Sequence, residues 1–259
     1  MRLHLHEWGD PAAPTLVCLH GITAHGARYR RLAQERLARR WHVVAPDLRG
    51  HGRSEYEPPW SLEQHVEDVL ETVPADATLW VGHSFGGRLL LELAHHLPER
   101  VERGVLLDPA IWVPPFYALD EAEAARADVS FASVAEAVDA RFASGGLHAA
   151  PRELVEEDFV EHLVQGEDGR LRLRACRSAV IAGFGEMSRT PPQGRLEVPL
   201  LAVRALEANV CPPALLDAYR ETVGPLLEAA TVPGGHIVMW DAFKETADAI
   251  ESWLAPAAA

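Results

Sequence analysis

The feature that most constrains this sequence is a serine set among glycines, between a strand-like run and a helical run. Residues 78–82 (TLWVG) are apolar and β-rich, residues 82–87 read GHSFGG, and the helical pattern RLLLELAHHL follows at once. Gly82 and Gly86 permit a tight and strained turn from strand to helix. Ser84 then projects beyond the end of the strand, at a helix N-terminus that favours negative charge. The sequence therefore predicts Ser84 as a nucleophile.

The rest of the chain alternates short β-rich runs with longer helical runs, which is typical of a mostly parallel sheet. The predicted strands lie at residues 15–20, 42–46, 78–82, 101–107, 199–203 and 229–232. The predicted helices lie at residues 61–72, 87–96, 213–223 and 242–254. Before these runs, leucines and histidines alternate over residues 3–6 ahead of a Gly-Asp-Pro turn, which predicts an antiparallel strand at the edge of the sheet.

The composition, 48% hydrophobic and 24% charged over 259 residues, is that of a soluble globular protein. The formal net charge of −14 argues against a nucleic-acid partner or an anionic membrane surface, because both attract a basic face. The N-terminal sequence lacks the apolar core of a signal peptide, and no apolar run has membrane-spanning length, so we expect a cytoplasmic protein. Cys18, Cys176 and Cys211 show no CxxC spacing and are expected to be reduced thiols.

The pattern changes over residues 111–195. Helical, acidic and alanine-rich segments appear there, broken by a glycine pair and a proline pair, and no segment has a convincing strand pattern. The stretch is too short and too interrupted to form a sheet domain. We therefore expect a helical cap inserted into an α/β core made of residues 1–110 and 196–259.

A serine nucleophile needs a base, and His236 is the best-placed histidine. It ends the sequence VPGGH, after the last predicted strand and before the last predicted helix. The carboxyl ends of parallel strands meet at one edge of a sheet, so we expect His236 and Ser84 to meet there. The negative oxygen formed during attack requires two N–H donors. Phe85, directly after the nucleophile, and Ile22, in the HGIT loop after the strand TLVCLH, are expected to supply them.

The histidine pair His4 and His6 lies on one face of the N-terminal strand. An HxH pair can bind a metal ion, but the sequence suggests no third ligand nearby. We therefore interpret both histidines as solvent-facing strand residues and expect no metal site. Asp47 and Arg49, in residues 47–54 (DLRGHGRS), are interpreted as scaffold residues near the active-site loops.

Five motifs together resemble the α/β-hydrolase superfamily, in particular the capped bacterial serine esterases. The motifs are HG at residues 20–21, DLRGHGRS at 47–54, GHSFGG at 82–87, LLDPA at 106–110 and PGGH at 233–236. The resemblance covers nearly the whole chain and implies the α/β-hydrolase fold: an eight-stranded, mostly parallel sheet flanked by helices, with a helical cap inserted after the sixth strand. It also implies the chain order serine, acid, histidine, and neither a metal nor an organic cofactor.

The acid departs from the pattern of these relatives. The segment that usually carries it reads VRALEANV at residues 203–210 and contains no aspartate. Glu207 lies close to the expected place and has an arm long enough to orient the imidazole of His236. Asp108, at the end of an earlier strand, is the rival, because some members of the superfamily supply their acid from that position. The sequence favours Glu207 and leaves Asp108 open.

These residues predict acyl transfer through a covalent intermediate on Ser84, with a small-molecule carboxylic ester as substrate. Cap aromatics, above all Trp112, Phe116 and Tyr117, are expected to form an apolar pocket for substrates of small to medium size. Hydrolysis of a carbon–carbon bond, a lactone or an amide uses similar machinery and stays open, as does a ligand receptor without turnover. We expect a monomer or a homodimer that binds neither nucleic acid nor membrane.

Overall fold

The computed structural model describes residues 1–255, in which seven strands form one sheet and two more form a hairpin. The strands are β1 (Leu5–Trp8), β2 (Thr15–Leu19), β3 (His42–Pro46), β4 (Leu79–His83), β5 (Arg103–Leu107), β6 (Leu163–Gln165), β7 (Leu171–Leu173), β8 (Leu200–Ala205) and β9 (Leu227–Val232). Their order across the main sheet is β1-β3-β2-β4-β5-β8-β9. β1 pairs antiparallel with β3, and all the other neighbours in this sheet pair in parallel.

Ten α-helices accompany these strands within residues 1–255. They are α1 (Arg30–Glu35), α2 (Leu62–Thr72), α3 (Phe85–His96), α4 (Pro115–Ala124), α5 (Val134–Ala143), α6 (Arg152–His162), α7 (Arg177–Met187), α8 (Pro213–Val223), α9 (Val238–Asp241) and α10 (Phe243–Leu254). Among the helices of this part of the chain, none is both long and apolar enough to cross a membrane. The three cysteines form no disulfide.

Alternating side chains of the central strands enter two separate hydrophobic clusters. In β2, Val17 and Leu19 belong to the first cluster, and Leu16 and Cys18 to the second. Because successive side chains of a strand point to opposite faces, the two clusters cover the two faces of the sheet. Strands buried on both faces read as continuous apolar runs, which is why a sequence such as TLVCL predicts a strand.

The structure confirms the mostly parallel sheet but corrects two details. The sheet has seven strands in residues 1–255 rather than the eight that the resemblance implies, with β1 at its edge. Residues 111–195 also contain a short hairpin, β6 with β7, where the sequence predicts no strand. Strands of three residues are too short to show an alternating pattern. The same stretch holds α4 to α7, and its role as a cap stays a prediction.

Six loops leave the sheet at one edge, because its six parallel strands all end on the same side. These loops hold the residues that the sequence singled out. β2 is followed by Ile22, β3 by Asp47, β4 by Ser84, β5 by Asp108, β8 by Glu207 and β9 by His236.

Candidate active site

Ser84 lies at the junction of β4 and α3, in a backbone conformation that few side chains adopt. Its φ angle is 52°, and it is the N-cap residue of α3. A Cβ on Gly82 would collide with the carbonyl oxygen of Gly86, and a Cβ on Gly86 would collide with that of Leu19. Backbone contacts this close leave room only for glycine at both positions. The turn therefore presents Ser84 at the N-terminus of α3.

Three non-glycine residues within residues 1–255 have a positive φ angle: Thr23 at 57°, Ser84 at 52° and Asp108 at 37°. Each follows the carboxyl end of a parallel strand, β2, β4 and β5 respectively. Such conformations cost on the order of 1–3 kcal/mol each and persist where surrounding contacts enforce them, which is common at functional sites. Backbone strain is therefore concentrated at the edge of the sheet that holds Ser84.

His236 and Asp108 come together at this edge. Nδ1 of His236 lies 2.6 Å from Oδ2 of Asp108. The Asp108 side chain is fully buried, whereas 29% of the His236 side chain is exposed. A carboxylate at Nδ1 favours the tautomer whose lone pair is on Nε2, the nitrogen that would accept a proton. His236 makes no hydrogen bond to the Ser84 hydroxyl in the part of the chain described, and such bonds are often long before a substrate binds.

His83 ties the backbone of His236 to the serine turn. Its Nε2 atom donates a hydrogen bond of 2.9 Å to the carbonyl oxygen of His236. Burial, together with the nearby His236 ring, holds the pKa of His83 well below its ordinary value, so the His83 ring is neutral. The residue next to Ser84 thus anchors the loop that carries the candidate base.

Glu207, the acid that the sequence favours, has other partners. Its Oε2 atom lies 2.7 Å from Nδ1 of His148, and its Oε1 atom accepts a hydrogen bond of 3.3 Å from the amide of Gly234. Its own amide donates to the carbonyl oxygen of Gly234 at 3.1 Å, which keeps residue 207 alongside the chain that follows β9. The contacts therefore favour Asp108 as the partner of His236, the reverse of the order that the sequence suggests.

The two amides predicted to hold an oxyanion border Ser84. Phe85 is the first residue of α3, so its N–H group has no acceptor within the helix. Ile22 lies in the loop after β2, where a Cβ on the neighbouring Gly21 would come within 3.1 Å of Cβ of Ser84. In residues 1–255 the amide of Ile22 donates no backbone hydrogen bond. Both N–H groups are therefore uncommitted beside the serine.

Comparison with known proteins identifies the family of the chain. The family model described as the alpha/beta hydrolase fold matches residues 14–243. The chain belongs to the α/β-hydrolase family. This hydrolase is 32% identical to Lipase LipV of Mycobacterium tuberculosis, over 98% of each chain. It is 29% identical to 2-hydroxymuconate semialdehyde hydrolase of a Pseudomonas species, over 90% of this chain and 78% of the relative.

A solved structure gives the same fold for the hydrolase. The crystal structure of E-2-(acetamidomethylene)succinate hydrolase matches it with a TM-score of 0.82, over 97% of this chain and 94% of that chain. The two sequences are 23% identical. At that identity the likeness supports the fold alone.

The aromatic residues that the sequence predicts for the substrate pocket of this hydrolase lie before or on α4. Trp112 donates a hydrogen bond of 3.1 Å from its indole nitrogen to the carbonyl oxygen of Ser188. The side chains of Phe116 and Tyr117 are largely exposed, with ring centroids 4.2 Å apart. Phe116 and Tyr117 are thus surface residues in this structure, and the role of all three aromatics in substrate binding stays a prediction.

The His4–His6 pair of the hydrolase has a third neighbour that the sequence missed. Ligand atoms of His4, His6 and Asp47 lie within 4.8 Å of one another. The ligand atoms of a tetrahedral zinc ion lie only about 3.3 Å apart, given bonds of about 2.0–2.1 Å. The oxygens of Asp47 also accept hydrogen bonds from the amides of Gly26 at 2.7 Å and Arg53 at 2.8 Å, and contact the His6 ring at 3.1 Å. These contacts describe a hydrogen-bond network around Asp47, which fits its predicted scaffold role.

Asp241 is a residue of the hydrolase that the sequence analysis did not single out. Its Oδ2 atom accepts a hydrogen bond of 2.7 Å from the amide of Gly235, which directly precedes His236. Its Oδ1 atom accepts hydrogen bonds from three consecutive amides, at residues 148–150. The available signal was the glycine pair before His236, because adjacent glycines indicate close backbone packing.

Proposed function

We propose that the protein is a serine hydrolase that cleaves carboxylic esters of small to medium apolar substrates through an acyl-enzyme intermediate. The observation that carries the proposal is the 2.6 Å contact between Nδ1 of His236 and Oδ2 of Asp108. It lies at the edge of the sheet where Ser84 occupies a strained turn. A serine near an imidazole that contacts a buried carboxylate is the machinery of acyl transfer.

In the first half-reaction, the hydroxyl oxygen of Ser84 attacks the carbonyl carbon of the ester, and Nε2 of His236 takes the hydroxyl proton. The carbonyl electrons move to the oxygen, whose negative charge is stabilised by the N–H groups of Ile22 and Phe85. Collapse of this intermediate breaks the bond to the alkoxy group. That group receives the proton from His236 and leaves as an alcohol.

In the second half-reaction, water attacks the acyl carbon and gives a proton to His236. The second tetrahedral intermediate releases the carboxylic acid, and the proton returns to the oxygen of Ser84. Asp108 orients the imidazole and stabilises its positive form throughout. Because the Asp108 side chain is fully buried, solvent screens its charge little, which strengthens its attraction to the imidazolium.

The relatives support an ester as the substrate class. A protein named a lipase shares 32% identity over 98% of both chains. The semialdehyde hydrolase among the relatives keeps hydrolysis of a carbon–carbon bond as the second candidate, since that reaction uses similar machinery.

We further propose that residues 111–195 act as a cap over the site, because residues 148–150 contact the loop of His236 through Asp241. A cytoplasmic location and a monomeric or homodimeric state stay predictions.

The test is steady-state hydrolysis of p-nitrophenyl acetate, butyrate and octanoate by the wild type, Ser84→Ala and Ser188→Ala. Ser188 is a partly exposed residue whose hydroxyl donates to the carbonyl oxygen of Gly185, so its variant controls for the loss of a serine. We expect Ser84→Ala to lower kcat roughly 10³-fold or more, and Ser188→Ala to stay within about two-fold.

Equal turnover in the wild type and Ser84→Ala would overturn the proposal. A folded wild type that leaves these esters intact, but cleaves a vinylogous diketone in a Ser84-dependent manner, would transfer the assignment to the carbon–carbon reaction.

A further inference from the structure

One carboxylate joins the loop that carries His236 to residues 148–150 of the insertion, the segment of residues 111–195 proposed as a cap. Asp241 is the last residue of α9. Its Oδ1 atom accepts hydrogen bonds from the amides of residues 148, 149 and 150, at 3.0, 2.9 and 2.9 Å. Its Oδ2 atom accepts a fourth, of 2.7 Å, from the amide of Gly235. A single side chain therefore holds the backbone beside the candidate base and the backbone of the insertion.

The two backbones held by Asp241 are packed as closely as glycine allows. A Cβ on Gly235 would collide with the carbonyl oxygen of Gly146 and would come within 2.9 Å of the His148 ring. Gly234 has a φ angle of 85°, and a Cβ there would lie 2.5 Å from Cβ of Asp241. The insertion therefore lies directly on the loop, with no side chain of the loop between them.

A second bridge connects the same two segments at the surface. Glu207 accepts a hydrogen bond from the amide of Gly234 and contacts the His148 ring. The side chains of His148 and Glu207 are 40% and 43% exposed, and exposed ion pairs contribute only about 0–1 kcal/mol. The four hydrogen bonds of Asp241 are therefore the stronger of the two polar bridges between the insertion and the loop.

We infer that Asp241 is a positioning residue for the proposed hydrolysis, and that it acts by locking residues 146–150 onto the loop of His236. The inference rests on the proposed function, because it concerns the base of that reaction. The hydrogen bonds of Asp241 go to backbone amides and not to the ring of His236. A small displacement of a base raises the energy of the transition state more than that of the bound substrate. Loss of the lock should therefore lower kcat more than it raises KM.

A carboxylate suits this position because both of its oxygens face N–H donors. Asparagine keeps one oxygen, and its NH₂ group would face either the amide of Gly235 or the amides of residues 148–150. Two donors that face each other leave hydrogen bonds unmade on one side. The remaining bonds also lose the charge that makes carboxylate hydrogen bonds roughly twice as strong as neutral ones. Asp241→Asn therefore weakens the lock with little change in shape.

The experiment compares the wild type with Asp241→Asn and with Asp217→Asn as a matched control. The carboxylate of Asp217 is 68% exposed and lies 3.7 Å from Arg220. Kinetics with p-nitrophenyl butyrate give kcat and KM, and amide hydrogen exchange reports on the two segments. For Asp241→Asn we expect kcat to fall about 10-fold or more while KM changes less than about three-fold. Exchange should accelerate in residues 146–150 and 234–236 together, and the control should match the wild type.

An unchanged kcat, or faster exchange in only one of the two segments, would contradict the inference. If Asp241→Asn does not fold, Asp241→Glu replaces it, because its longer arm keeps the charge but moves both oxygens away from the amides of Gly235 and residues 148–150. In that variant, the amides of residues 146–150 and 234–236 should again exchange faster together, with a smaller loss of kcat. Faster exchange in only one of the two segments would refute the lock. Full activity of Ser84→Ala would refute the proposed function but not the coupling, which the exchange data decide on their own.

Discussion

His236 and Asp108 are 128 positions apart in the chain, yet Nδ1 of one lies 2.6 Å from Oδ2 of the other. Two hydrogen bonds to β8 hold Asp108 in place. Its amide donates to the carbonyl oxygen of Val203 at 2.8 Å, and its Oδ1 atom accepts from the amide of Ala205 at 2.9 Å. The sequence predicts the acid in the loop after β8. In the structure, β8 instead orients Asp108, which follows the neighbouring strand β5.

The glycines of the serine turn should be intolerant of even one added methyl group. A Cβ on Gly86 would collide with the backbone of Leu19, which is fixed in β2 and cannot move aside as a side chain can. We expect Gly86→Ala to lower the free energy of unfolding by about 1–3 kcal/mol or more. Urea unfolding, followed by circular dichroism, measures the change.

Gly185 provides the matched control for this substitution. It lies within α7, and a Cβ there would meet nothing within 4 Å. Gly185→Ala should raise the free energy of unfolding by roughly 0.5–1 kcal/mol, because alanine is the better helix former. If Gly86→Ala proved as stable as the wild type, the close packing described for the turn would be wrong.

The buried carboxylate of Asp158 should make stability depend on pH. It pairs with Arg28 at 2.9 Å and with His25 at 3.0 Å. Burial alone would raise the pKa of Asp158, but the Arg28 guanidinium and the His25 ring outweigh burial and hold the pKa well below 3.8. A depressed pKa gives stability that is present above the unfolded-state value and is lost as the pH falls below it. We expect Asp158→Asn to be about 3 kcal/mol less stable at neutral pH.

Urea unfolding of the wild type and Asp158→Asn over a range from about pH 7 to pH 3 tests this dependence. The wild type should lose stability more steeply at the acid end, so that the difference between the two proteins narrows there. Asp217→Asn, which changes an exposed carboxylate, should follow the wild type. A difference that stays constant at every pH would rule out the proposed titration of Asp158.

Most of the sheet and several helices could be predicted from the sequence, because buried parallel strands read as apolar runs between turn residues. The first and last residues of the strands and helices were harder to predict. The run at residues 101–107 begins as a strand only at Arg103, since residues 98–100 form a 3₁₀ turn. α3 begins at Phe85 rather than at residue 87, because the serine turn passes directly from strand to helix. The hairpin of β6 and β7 escaped prediction because its three-residue strands are too short to show an alternating pattern.

The candidate site was predictable only where local context marks a residue. Ser84 and His236 stand out because each lies between a strand and a helix along the chain. The acid does not stand out, because Glu207 and Asp108 both follow strands that end at one edge of the sheet. Only the direction of each side chain separates these two carboxylates, and that direction depends on backbone hydrogen bonds to distant residues. The hydrogen bonds of Asp241 to residues 148–150 also join segments that lie far apart in the chain, so no local pattern predicts them.

The most direct test of the account measures kcat for Asp108→Asn and Glu207→Gln beside the wild type, with p-nitrophenyl butyrate and with folding checked by circular dichroism. Asp108→Asn should lower kcat roughly 10³–10⁴-fold, because an amide favours the wrong tautomer of His236. Glu207→Gln should stay within about three-fold of the wild type, since it alters only an exposed bridge. Full turnover by Asp108→Asn, or a large loss in Glu207→Gln alone, would contradict the account.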